Sequence, residues 1–354
     1  MTKGRSFKIN LIEEIIKELP KVDSNINYWL VRTNGGEYYE EFVNENFIGI
    51  GWNKITRERI KDNISIEDLV RENYKKESRP RYVETQILRF IEGIKKGDVV
   101  LVPSKNSRYL HCGYVISDDY YEADLPINDE SAFEQLFELE EEGICPYRKR
   151  KWVKWIKPLS KDQLDPKLYL LVYSHHTITS ANDYKDLINR AMFDMYIQDE
   201  KCYATFQIER AENIEARSLV TFLNSLIEVN KIKSGKDDLE IKISVQSPGL
   251  TEIIDNLYNI VWTCVVILSI IGGKVKTPFF QFESGGVVGY IEKYIKERKN
   301  EGKVPDNIRE DLKSSSEELK MTQPSEFVKA IEKVQKKEKV KEFENTGEQE
   351  EKND

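Results

Sequence analysis

Cysteine is scarce in this chain: four residues in 354, Cys112, Cys145, Cys202 and Cys264, none in a CxxC pair. That spacing suggests neither a structural zinc site nor a disulfide framework. No Walker A loop, GxSxG elbow or HExxH pair is present, and Gly235-Lys236 lacks the glycine loop a phosphate cradle needs. Basic excess is missing too. A net charge of -8 and a pI near 5.4 exclude a surface coated with Lys and Arg for duplex DNA, although a local basic groove stays open. The N-terminal MTKGRSFKINLIEEIIKELP carries acids inside its apolar repeat, unlike a secretory signal. No internal repeat is evident.

Long uncharged runs are likewise absent, with one exception in a chain that is 33% charged: Asn256 to Gly273. As a helix this run would reach roughly 27 Å, close to the thickness of a bilayer core but at the short end of spanning lengths. Tyr258 and Trp262 lie near one end, as interfacial aromatics do, and Lys274 and Lys276 follow the other. A membrane helix is therefore expected over 256–273, with a buried core helix as the rival. A lone span needs neighbours, so homo-oligomers are expected, with Thr263, Ser269 and the Gly272-Gly273 pair as the polar or close-packing positions and Val266 and Ile270 as further residues of the membrane segment. Cys264 in this run reads as a small buried hydrophobe rather than a nucleophile.

Around that run the chain is laid out as follows. Residues 1–26 form an amphipathic helix or arm, stopped by Pro20. Tyr28 to Arg32 has strand composition, Thr33-Asn34-Gly35-Gly36 is a turn, and Phe47 to Trp52 is a second strand. A helical pattern covers Ser65 to Ile94. Val99 to Pro103 and Tyr109 to Ser117 are strands, followed by an acidic linker to Glu142. Tyr147 to Ile156 alternates basic and apolar side chains. Asn182 to Ile197 reads as a helix and Cys202 to Ile208 as a strand, with a boundary near Asn213. A small α/β connector fills 213–255, an amphipathic and charged helical region 274–335, and a charged tail 336–354, helical or disordered.

The ordered set Trp29-Leu30-Val31-Arg32, Gly35-Gly36-Glu37, Phe42, Ile48-Gly49-Ile50-Gly51-Trp52, Lys96-Gly97-Asp98-Val99-Val100, Gly113-Tyr114-Val115 and Arg148 to Trp155 resembles the PUA-like, EVE-like domain at the N-terminus of Mrr-type restriction proteins. The resemblance covers about Asn27 to Leu164. It implies a small twisted β-barrel with flanking helices and a pocket that holds a nucleobase or another nucleotide feature. The expected fold is thus α+β: a PUA-like barrel over 27–212, then a small α/β unit with one transmembrane helix and a charged tail. An extracted base is held by aromatic faces and edge hydrogen bonds, with phosphates met by Lys and Arg. Trp29, Trp52, Tyr109 and Tyr114, with Arg32, Arg148 and Arg150, are the candidate nucleotide-binding residues. Any one of these aromatics could instead be core.

Mrr-type proteins also carry a metal-dependent nuclease. The nearest match here, Glu240 and Lys242 behind Asp237 and Asp238, reads as a solvated strand face. Neighbouring side chains diverge, so His175-His176 is assigned to the surface or a pocket rim rather than to a metal. No cofactor, metal or catalytic residue is expected, and the chain reads as a sensor rather than an enzyme. The organisation is similar to membrane effectors of bacterial antiphage systems, such as the channel of the Hailong system, whose ligand is a DNA oligomer. The expected function is a nucleic-acid or oligonucleotide sensor gating an oligomeric inner-membrane effector, with most of the chain cytoplasmic and a nucleotide-synthesising or nuclease protein as a further partner. The rivals are a cytoplasmic modification-dependent restriction factor and a nucleic-acid-binding adaptor.

Overall fold

The computed structural model describes residues 10–61, 64–125, 144–161, 164–210, 213–244, 249–276, 281–283, 285–297 and 303–350. Most of the acidic linker before Glu142 therefore lies outside the described residues, as does the end of the tail. The fold is α+β, and the chain divides into two compact units, Asn25–Met192 and a discontinuous one made of Met1–Ser24 with Phe193–Asp354. The N-terminal arm thus joins the C-terminal half. It contributes helix α1 (Leu11–Glu18), whose Leu11, Ile12 and Ile15 are buried, and strand β1 (Lys21–Val22).

Among the described residues of the unit 25–192, seven strands form one sheet: β2 (Tyr28–Val31), β3 (Phe47–Ile50), β4 (Val99–Pro103), β5 (Tyr109–Val115), β6 (Tyr121–Glu122), β7 (Lys149–Ser160) and β8 (Ile178–Ser180). Their order is β3-β7-β5-β4-β2-β8, with β6 also on β7 and only β2 and β4 parallel. The long β7 pairs with β3 through Lys149–Trp152 and with β5 from Val153 onward. A bulge between Cys112 and Gly113 bends that pairing, and the sheet curls into a half-barrel. Helix α2 (Tyr39–Asn44), short α3 (Arg57–Lys61), α4 (Ile66–Asn73) and α5 (Pro80–Leu88) close over it, and Phe42, Phe47, Val83 and Phe90 are fully buried in its core. The expected continuous helix over 65–94 is broken at residues 74–79. A proline disfavours helical backbone in the residue before it and starts a helix well, so Pro80 opens a new one. Helices α6 (Leu168–Val172) and α7 (Lys185–Met192) complete this unit.

The discontinuous unit continues with β9 (Met195–Gln198) and β10 (Lys201–Ile208), so the chain changes units at residues 192–193 rather than near 213. The helix expected up to Ile197 ends at Met192, and its last residues instead form β9, hairpinned to β10. Then come α8 (Ala216–Ser234), β11 (Glu240–Ser244), β12 (Gly249–Asn256), α9 (Leu257–Ile271), β13 (Lys274–Lys276), β14 (Gln281–Glu283), α10 (Gly285–Glu297), α11 (Asp306–Leu319), β15 (Met321–Thr322) and α12 (Ser325–Glu350). The sheet order is β1-β9-β10-β12-β11, with β15 also on β10. The charged tail is helical through Glu350.

The transmembrane expectation is overturned. Asn256 ends β12 and caps α9 by accepting a hydrogen bond from the Tyr258 amide at 3.0 Å, which leaves 15 helical residues. That is about 22 Å, well under a bilayer core. Among the described residues no helix is long and apolar enough to cross a membrane. Ile260 to Leu268 are all buried, and α9 packs against α1, α8, α10, α11, β10 and β12. Its uncharged circumference is that of a central core helix, enclosed by protein over residues 260–268. Trp262, Thr263 and Val266 are core residues, Ile270 packs against that core, and Ser269 turns its hydroxyl back to the Val266 carbonyl at 2.7 Å. Only Tyr258, at the helix start, is exposed.

Candidate functional site

The half-barrel unit contains a pocket of about 540 Å³ built where four pieces of chain meet. The first is the end of β2. Arg32 donates its amide to the Thr177 carbonyl at 2.9 Å, Thr33 ties its hydroxyl to the Pro103 carbonyl at 2.6 Å, and the chain then turns. In that turn Asn34, Gly35 and Gly36 have φ of 51°, 69° and 98°. Asparagine and glycine are the residues that tolerate this left-handed backbone. The second piece is the β4–β5 turn, where Asn106 and Ser107 have φ of 57° and 53°. The two turns abut backbone to backbone. A Cβ on Gly36 would lie 2.2 Å from the Lys105 nitrogen.

Tyr147, just before β7, is the third piece, held edge-on against Tyr38 with ring centres 5.1 Å apart. The fourth is Lys161 with residues 164–177, which fold around α6. Leu164 and Val172 supply its apolar lining, and Tyr169, Tyr173 and His175 its rings. The Lys161 ammonium lies 5.2 Å from the centre of the Tyr169 ring, whose hydroxyl donates to the Lys161 carbonyl at 2.9 Å. Arg32 is aimed by its own donors: its guanidinium holds the Val172 and Ser174 carbonyls and so clamps the end of α6 to β2. Among the described residues no Asp or Glu lines the pocket. The nearby Glu37 accepts from the Asn34 side-chain amide at 2.6 Å. Two cations, several π faces and the side-chain amides of Asn34 and Asn106 thus surround a cavity whose described lining holds no carboxylate.

Of the seven residues expected to bind nucleotide, Arg32 alone lines this pocket. Trp29 packs against the core and donates its indole N–H to Asp98 at 2.9 Å. Trp52 also packs there, with φ of 57°. Arg150 is buried, 3.9 Å above the Phe47 ring, and donates to the carbonyls of Tyr147 and Cys145. The Arg148 side chain donates to the Ala123 carbonyl at 3.3 Å. Tyr109 is exposed at the start of β5, and Tyr114 is half-buried opposite Lys154. Of the histidine pair, His175 lines the pocket while His176 lies against Tyr82, ring centres 5.5 Å apart. Tyr147, Lys161, Tyr169 and Tyr173 are pocket residues that the sequence pattern does not single out. The Asn34-Gly35-Gly36 turn is their only local signal, because the others converge through the tertiary fold.

The alternation expected in β7 fails at its start. Lys149, Arg150 and Lys151 are all buried. Lys149 donates to the Trp52 carbonyl at 2.8 Å, and Lys151 to the carbonyls of Ile94 and Ile91. Burial pushes each ammonium down to about 8.

The nuclease-like set is taken up in ion pairs, two at the surface and one on the buried Glu252. Glu240 meets Lys201 at 2.6 Å, Asp237 meets Lys231 at 2.8 Å, and Lys242 lies 3.8 Å from Glu252. Among the described residues no three His, Cys, Asp or Glu side chains gather in a way that could hold a metal ion. All four cysteines are free and buried, and burial raises the Cys112 and Cys145 thiols to about 12, which makes poor nucleophiles of them.

Residues 27–178 match the model of a domain of unknown function (DUF8426), a span that lies inside the half-barrel unit and contains every pocket residue. No curated protein and no solved structure matches the chain.

Proposed function

We propose that the half-barrel unit is a nucleic-acid or oligonucleotide recognition module that takes one nucleotide into this pocket. The observation that carries the reading is the pocket's composition: Arg32 and Lys161 beside the rings of Tyr147, Tyr169 and Tyr173, with no carboxylate among the described lining residues. A nucleotide is a π face joined to an anion. Rings hold the base whatever its identity, while fixed cations hold the phosphate. Asn34 and Asn106 add donors and acceptors for a base or sugar edge. The resemblance of residues 27–164 to PUA-like recognition domains supports the same reading.

Coupling to a membrane effector forms no part of the proposal, because it required a transmembrane helix that is instead the core of the other unit. Titration of the full chain with mononucleotides and with short DNA and RNA strands tests the proposal. Binding is expected in the micromolar range, weakened about tenfold or more by Lys161→Ala, the usual scale for losing a charge-assisted hydrogen bond to phosphate. Absence of binding to every nucleotide and strand at millimolar concentration would reject it.

A further inference from the structure

The pocket opens onto a helix face that stays exposed among the described residues. In α6 the side chains of Leu168, Leu171 and Val172 are buried. The opposite side carries Lys167, Leu170 and Tyr173, all exposed, with Leu170 69% and Tyr173 66% open to solvent. Tyr173 keeps near-helical backbone at φ -79° and ψ -5°, so residues 167, 170 and 173 stack three apart along one face. Tyr173 also lines the pocket, which makes this face continuous with it. An exposed leucine and tyrosine side by side are costly to leave in water, and the lysine one turn earlier gives the stripe a positive end. The nearest acid on this segment, Asp165, is turned to Arg190 at 3.3 Å.

Resting on the nucleotide reading above, we infer that the ligand is a single strand of at least two nucleotides, which leaves the pocket across α6. The base adjoining the one in the pocket stacks on Tyr173, its sugar packs on Leu170, and the next phosphate meets Lys167. Charge selects this occupant over an apolar peptide, since both the stripe and the pocket it runs into carry cations, and no acid lines either among the described residues. A paired duplex does not fit, because its bases are already stacked on each other and present no face to the tyrosine.

The test compares an equimolar set of mononucleotides, random hexanucleotides of DNA and RNA, and the same hexanucleotides annealed as duplex, using the full chain and its Leu170→Glu, Lys167→Glu double variant. Neither substituted residue lines the pocket, and both are exposed, so the variant keeps its fold. Hexanucleotides are expected to bind at least tenfold tighter than mononucleotides, the scale of one added base–aromatic stack. The variant leaves Tyr173 in place but sets two carboxylates where the sugar and the next phosphate would lie, so it should lose that gain by repulsion and keep its mononucleotide affinity. Equal affinity for mononucleotide and hexanucleotide, or duplex binding as tight as single strand, overturns the strand path and leaves the pocket reading standing. Binding of nothing at all overturns both.

Discussion

Gly36 and Lys105 touch through their backbones: the position of a Cβ on Gly36 lies 2.2 Å from the Lys105 nitrogen and 2.3 Å from its Cα. No side chain can move aside there, so Gly36→Ala must push the two turns that build one wall of the pocket apart. Its φ of 98° adds strain for any residue with a Cβ. Gly35 next to it has φ of 69°, and a Cβ at that position would meet nothing within 4 Å. Gly35→Ala should cost about 1 kcal/mol, the ordinary penalty of a left-handed alanine. Gly36→Ala should cost about 3 kcal/mol or more and abolish ligand binding. Thermal unfolding of both variants checks the contrast, and equal melting temperatures would show that the turns are not in contact.

Lys149 and Lys151 make the pH dependence of stability unusual. Each is pushed from the ordinary lysine value to about 8 by burial, while the unfolded chain keeps its lysines near 10.5. At pH 7 both states are charged and the folded state carries the full desolvation cost. Between about 8 and 10.5 the folded lysine is neutral while the unfolded one still binds a proton, so stability contributed by this group rises with pH. Replacing either lysine with methionine removes this contribution, on the order of 3 kcal/mol. The Lys149→Met protein should therefore lose stability relative to the parent as pH rises from 7 to 10. Denaturant midpoints at the two values measure the difference, and an unchanged difference would mean that Lys149 reaches water.

Helix α9 offers a stabilising substitution. Thr263 is fully buried in the centre of the core, and its hydroxyl has no hydrogen-bond partner among the described residues. A buried hydroxyl left without a partner costs about 1–3 kcal/mol, and valine has nearly its shape. Thr263→Val should raise stability by about 1 kcal/mol, seen as a higher denaturant midpoint at unchanged slope. The opposite sign would place a bound water or another acceptor beside the hydroxyl.

How much of this is legible in the sequence divides along physical lines. The strands Tyr28–Val31, Phe47–Ile50, Val99–Pro103 and Tyr109–Val115 follow from local composition and bounding turns, and all lie where their pattern places them. The run after Asn256 is ambiguous in principle, because a helix apolar on every side has the same sequence whether lipid or protein surrounds it. Its surroundings include α1 from the N-terminus and α11 from beyond residue 300, and contacts so distant along the chain leave no local mark on the run itself. Trp29 and Trp52 have the right chemistry for a base, yet tertiary packing commits both to the core. Tyr169 and Tyr173 lie in a stretch without strong periodicity, and the clamp from Arg32 to the Val172 and Ser174 carbonyls, together with the pairing of β8 on β2, brings them to β2.

The joint between β9 and α12 depends on a proton. Asp194, just before β9, accepts from the amides of Ser325 at 2.8 Å and Glu326 at 3.1 Å, capping the first turn of α12. Glu326 returns the contact by accepting from the Asp194 amide at 3.1 Å. Burial of the carboxyl first, and the facing Glu326 carboxylate second, hold Asp194 well above its ordinary range. The folded chain thus retains a proton that the unfolded chain releases near pH 4, so this group's contribution is complete in acid and is lost as pH rises through the folded value. Asp194→Asn keeps one acceptor for the helix end and removes the charge. It should be less stable than the parent at pH 4 and gain on it as pH rises from there, the reverse of the trend for a salt-bridged aspartate. Urea midpoints of parent and variant across that range decide it: parallel curves would mean that Asp194 carries no extra proton in the fold.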